Sequence, residues 1–165
     1  MNRLLSAWLW VLPLVIHVAY LLATVPHLPN HIGDAQSFAG NVPSFLLQWA
    51  GTILFANAAL VIVKFRLPSL SDRQLAVPGR DYWLQTPERR TELLSRLRGL
   101  IETCLCLFNV FLLAIYQRVY QTNAVDPVLR MPDQLLMAGF VALPLMVMGV
   151  TIAMSMISLK KDARD

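Results

Sequence analysis

Four apolar runs constrain this chain more than anything else in it: Leu4 to Val25, Phe45 to Val63, Leu100 to Val119 and Leu135 to Leu159. About twenty residues, rising about 1.5 Å each in a helix, cross a hydrocarbon layer of about 30 Å. Each run therefore reads as a transmembrane helix. Barrel strands would alternate apolar and polar residues over about ten positions, and none of the runs does so. The runs occupy more than half of the 165 residues and leave loops and tails rather than a soluble catalytic domain. Composition agrees, with 56% hydrophobic and 15% charged residues, against about 45 to 50% and about 25% in soluble domains. The high apolar content excludes disorder, and a cysteine count of two excludes a disulfide-stapled secreted module. The expected fold is an all-α integral membrane protein, one domain over 1–165.

Orientation follows from the basic residues, because short cytoplasmic loops retain an excess of them. Arg3 precedes the first run, eight lysines and arginines lie between Lys64 and Arg98, and Lys160, Lys161 and Arg164 follow the fourth run. Only Arg118 and Arg130 fall on the other side, a split of twelve against two among the fourteen basic residues. Both termini and the loop 64–99 are thus expected in the cytoplasm. The formal charge of +4 sits beside apolar spans, which points to anionic lipid headgroups as the partner rather than nucleic acid. The first run exceeds the 7 to 15 residues usual in a signal peptide and ends at Pro26, a poor residue to follow a cut. It is read as a retained helix.

The first loop, Pro26 to Ser44, carries His27, His31 and Asp34. Imidazole and carboxylate suit zinc or copper. Pro29 stands between the histidines, however, the spacing matches no tight template, and a plain polar turn is the expectation.

The cytoplasmic loop is richer. Thr86-Pro87-Glu88 is a helix start: a capping hydroxyl, a proline whose missing N–H has no partner in the first turn anyway, and an acid at the positive end of the dipole. Leu93, Leu94, Leu97 and Ile101 then recur at helical spacing while Arg89, Arg90, Arg96 and Arg98 take other faces. This predicts an amphipathic helix along the membrane surface before the third span. It would hold anionic headgroups at about 1 kcal/mol per basic residue, or dock a protein partner. Tyr82 and Trp83 stand just before it and suit the headgroup level or the mouth of the bundle.

The run Arg80-Asp81-Tyr82-Trp83-Leu84-Gln85-Thr86-Pro87-Glu88-Arg89-Arg90 resembles the Asp-Tyr-Trp-Leu…Pro-Glu-Arg-Arg signature of a family of small bacterial inner-membrane proteins of unknown function. That family is related to the N-terminal region of SdpI-type toxin-immunity and signalling proteins. Pro78 fits the same pattern, and so does the arrangement of four spans. Where the family carries a His-Phe pair in the first loop, this chain has Ala35-Gln36. The resemblance implies a protective or sensory membrane protein without established chemistry, with Asp81, Tyr82, Trp83, Leu84, Pro87, Glu88, Arg89 and Arg90 as its motif.

Polar side chains inside spans are candidates for function, because lipid cannot satisfy them. His17, Asn57, Glu102 and Asn109 stand out. Glu102, Cys106 and Asn109 at i, i+4 and i+7 share a face expected to point inward. They read as interhelical glue, or as an ion or proton path with His17 as a relay. Cys104 and Cys106 lie on nearly opposite helix faces and are expected as reduced thiols. In the fourth run, Ala138 with Ala142 and Gly149 with Ala153 are small-xxx-small pairs for close helix packing, within the bundle or against a partner. Pro144 is expected to kink this span, and its five methionines suit adaptable packing better than a copper box.

No phosphate loop, dinucleotide fingerprint, zinc-protease helix or serine elbow is present. No cofactor or catalysis is expected. The spans point to a non-catalytic inner-membrane protein, and the resemblance implies a role in toxin immunity, with a peptide toxin as partner, or in envelope sensing. The alternatives are an accessory or assembly subunit of a larger membrane complex, and a small ion- or proton-coupled transporter.

Overall fold

The computed structural model describes residues 11–32, 40–124, 127 and 132–162. Among these residues five α-helices follow in order: α1 (Leu12–Thr24), α2 (Val42–Arg66), the single-turn α3 (Arg80–Trp83), α4 (Pro87–Asn123) and α5 (Asp133–Asp162). Two residue pairs, β1 (His31–Ile32) and β2 (Gly40–Asn41), close the first loop as a minimal antiparallel ladder, His31 opposite Asn41. Its tip, with Asp34 and Ala35-Gln36, lies outside the described residues.

Among the described residues, three helices are long and apolar enough to cross a membrane: Val42–Ser69, which adds a 3-10 turn to α2, then Pro87–Asn123 and Asp133–Ile157. The apolar helix Leu12–His27 is shorter. The expected start of the first span, at Leu4, lies outside the described residues.

Helix starts follow the local chemistry. Asn41 caps α2 by accepting from the Ser44 N–H at 3.0 Å. Gly79 turns the chain into α3 at φ 66°, a left-handed conformation that a side chain would strain. Thr86 caps α4 by accepting from the Arg89 N–H at 3.4 Å, with Pro87 in the first turn.

One expectation is corrected. The amphipathic segment after Pro87 does not form a separate helix lying on the membrane surface before the third span. It is the first third of α4, which runs without interruption for 37 residues, about 55 Å. Gly99 does not break it, because its neighbours satisfy the same i to i−4 ladder. A continuous rod cannot both lie along a surface and cross it.

α4 is the central element, with α1, α2 and α5 all packed on it. α1 and α2 lean on α4 more than on each other. The core falls into two clusters. Ile32, Phe45, Trp49, Ile53, Leu112, Tyr116 and Tyr120 fill the end near the first loop, and Trp83, Leu93 and Ile157 fill the opposite end. The outward faces are apolar, with Leu47, Leu54, Phe55 and Met137 each at least two-thirds exposed. Hydrocarbon can surround such a surface, whereas water would leave an apolar patch far larger than soluble monomers carry.

The small residues of the fourth run divide between the bundle and its outer surface. Ala142 is buried, but Ala138 and Gly149 are exposed and Ala153 is half-buried. Gly149 has open space around it. The close approach is made by Gly139 instead, where a Cβ would stand 2.5 Å from the Ala114 Cβ and 3.4 Å from the Val110 carbonyl. α5 runs on through Pro144 to Asp162.

Candidate functional site

The polar side chains at membrane depth meet across helices at three levels, following the seam between antiparallel α2 and α4. At the first-loop end, the Trp49 indole N–H donates to His17 Nε2 at 3.1 Å. That bond places the lone pair on Nε2, so the neutral imidazole carries its proton on Nδ1. Thr24 and Tyr116 share a hydroxyl hydrogen bond of 2.8 Å, and Thr24 also donates to the Tyr20 carbonyl. Phe45 stacks on both Trp49 and Tyr116, with ring centroids 5.9 and 6.2 Å apart, while Tyr20 meets Tyr116 and Tyr120 edge-on. Aromatic pairs of this kind add about 0.5 to 1.5 kcal/mol beyond their burial. His17, Tyr116, Gln117 and Tyr120 are fully buried. His17 Nδ1 and the Tyr120 hydroxyl have no hydrogen-bond partner among the described residues.

At mid-depth, Asn57 and Asn109 form a reciprocal amide pair. Asn57 Nδ2 donates to Asn109 Oδ1 at 3.0 Å and Asn109 Nδ2 donates to Asn57 Oδ1 at 2.7 Å. Each Nδ2 uses its second proton on the carbonyl one turn back in its own helix, Ile53 or Leu105. Both amides are thereby fully satisfied as donors.

At the third level, Lys64 Nζ lies 2.9 Å from Glu102 Oε1, with its side chain only 4% exposed, and Arg98 approaches the same oxygen at 3.4 Å. Of the expected stripe, Glu102 and Asn109 share the face toward α2, while Cys106 does not enter the core. Asn109 is buried, Cys106 is half-buried while Leu105 takes the core position, and Glu102 turns to Lys64. Both cysteines are free thiols.

The motif residues cluster at the Lys64 end. Trp83 is fully buried, and its indole N–H donates to the Ile157 carbonyl of α5 at 3.0 Å. Tyr82 is half-buried and meets Trp83 edge-on, with the Arg89 guanidinium 4.2 Å above its ring. Arg89 also donates to the Tyr82 carbonyl and to Gln85. Arg90 pairs with Asp72 at 3.0 Å and donates to the Leu70 carbonyl, tying the preceding turn to α4. Arg96 pairs with Glu92 and stands over the Trp83 ring. Leu84 is half-buried; Asp81, Pro87 and Glu88 are exposed.

Trp49, Lys64, Tyr116 and Gly139 are contributors the sequence reading passed over. A signal for two of them, Lys64 and Tyr116, was present: Glu102, Asn109 and Tyr116 recur every seven residues, as do Asn57 and Lys64, and a heptad step keeps one seam facing a partner helix. Among the described residues no group of three or more histidines, cysteines and acids converges as a metal site.

No protein-family model matches the chain, and neither does any curated protein or solved structure.

Proposed function

We propose that the chain is a non-catalytic four-span protein of the bacterial inner membrane that works by recognition in the envelope, as immunity against a membrane-active peptide toxin or as an envelope sensor. Both termini and residues 64–99 lie in the cytoplasm, and α4 extends beyond the bilayer there. The observation that carries this reading is the seam between α2 and α4. Its polar side chains turn toward one another in complementary pairs, Asn57 with Asn109 and Lys64 with Glu102, and this favours a bundle held in one register over a catalytic centre or an ion path. Transport has less support, because Glu102, its one acidic group, is engaged by two cations. The test is survival of cells lacking the chain under a panel of membrane-active peptides. Lowered survival restored by the intact gene is expected; unchanged survival throughout the panel overturns immunity.

The reading as an accessory subunit draws on one observation: α5 leaves Ala138 and Gly149 exposed, small residues that admit a close partner helix. A stoichiometric partner after purification in mild detergent, together with unchanged survival, would transfer the assignment to that class.

A further inference from the structure

An apolar cleft of about 440 Å³ lies between α1 and α2, both of which pack on α4. Leu14, Val18 and Leu21 form one wall; Ile53, Asn57 and Val61 lie along the other. Asn57 belongs to the lining, but its amide is turned to Asn109, so the cleft presents hydrocarbon. Its volume falls within the range of about 300 to 1,000 Å³ usual for ligand sites.

Length and charge identify an occupant. From Ala50 to Val61 the cleft follows α2 through twelve residues, about 16 Å between the end Cα atoms, which matches one leaflet of a hydrocarbon core about 30 Å thick. One turn beyond Val61, on the stripe that carries Asn57, stands Lys64, joined to Glu102 and Arg98. Two cations around one carboxylate leave a net positive charge, and Arg98 is more than half exposed. A chain one leaflet long that ends at a cationic group is the shape and charge of an anionic phospholipid. We propose that the α1–α2 cleft holds an acyl chain of one anionic phospholipid, with its phosphate at Arg98 beside the Lys64–Glu102 pair. A zwitterionic lipid would fit the cleft equally well and lack the charge complement.

The full chain, extracted in mild detergent and freed of native lipid, is titrated with phosphatidylglycerol or with phosphatidylcholine and read by native mass spectrometry. One phosphatidylglycerol per chain is expected, retained over phosphatidylcholine by roughly fivefold, the ratio that about 1 kcal/mol for a basic residue at the surface represents. Arg98→Gln keeps a hydrogen-bond donor for Glu102 and should bring the two lipids to equal retention. Ala58→Trp fills the cleft from its own wall and should remove the bound lipid of either kind, whereas Phe55→Trp, on the outward face, should leave it. Equal retention of both lipids by the parent chain overturns the proposal. So does lipid that persists in Ala58→Trp, or a second copy of the chain that takes the place of the lipid in the parent and is lost in that variant.

Discussion

A tryptophan at the end of a bundle must bury a large ring and still satisfy an indole N–H, and Trp83 does both against α5. Truncating a buried aromatic typically costs about 3 to 5 kcal/mol. Trp83→Ala should therefore lower the thermal midpoint in detergent and open the 64–86 segment to limited proteolysis. Trp83→Phe, which loses the hydrogen bond and part of the ring, should fall between. Cleavage of Trp83→Ala at the parent rate would mean that the contact with Ile157 does not hold the segment. The Asn57–Asn109 pair makes a different demand, since removing one amide strands the other in the core. Asn57→Leu and Asn109→Leu should each destabilise, and the double variant should cost less than the two singles added, by about 0.6 to 1.7 kcal/mol of coupling. Denaturant unfolding of all four proteins gives the cycle; strict additivity would remove the pair as a register lock. Asn57, Asn109 and Trp83 were legible in the sequence as polar or amphipathic groups in apolar surroundings. Their partners were not, because an amide or indole shows what it needs and not which helix supplies it. Lys64 illustrates the limit: at the edge of an apolar run it reads as an orientation signal, yet it is buried against Glu102.

Helix starts were legible for a local reason. Thr86-Pro87-Glu88 and Asn41 act within one turn of themselves, and the capping bonds follow from those residues alone. The continuity of α4 was not legible, because a change from amphipathic to apolar composition marks a change of environment, which a helix can cross without bending. Helix contact faces were harder still. Small residues are frequent in α5, and spacing alone does not tell Ala138 from Gly139. Their difference is physical: Gly139 lies against α4, and a methyl there would overlap the Ala114 side chain. Gly139→Ala should force the helices apart at about 1 to 3 kcal/mol, the usual cost of overpacking. Gly149→Ala meets open space and should instead stabilise by up to about 1 kcal/mol through helix propensity. Thermal unfolding in detergent, followed by circular dichroism, compares the two variants. A larger loss at 149 than at 139 would misplace the α4–α5 contact.

For the molecule as a whole, the seam and the loops answer separate questions. The seam fixes how the helices stand against one another: the Asn57–Asn109 and Lys64–Glu102 pairs, about two turns apart along α4, are both satisfied in the one antiparallel register observed, since a slip of one turn would face Asn57 with Leu105 or Leu112. Nothing in that packing says which end meets the cytoplasm, because an inverted bundle keeps every contact. Orientation rests on the distribution of charge outside the spans, twelve basic residues against two, and on the preference of such residues for the cytoplasmic side. The structure adds one constraint. Arg90, Arg96 and Arg98 lie at the Lys64 end with Trp83, tied to Asp72, Glu92 and Glu102, so this end behaves as one folded unit and must face one side entire. Single cysteines at Arg80 and Asp34, in a chain whose Cys104 and Cys106 are replaced by serine, separate the two orientations. A membrane-impermeant maleimide added to intact spheroplasts should label position 34 and leave position 80 untouched until the membrane is permeabilised. Labelling at 80 before permeabilisation would invert the molecule while leaving its packing as described, and the phospholipid cleft would then open to the outer leaflet.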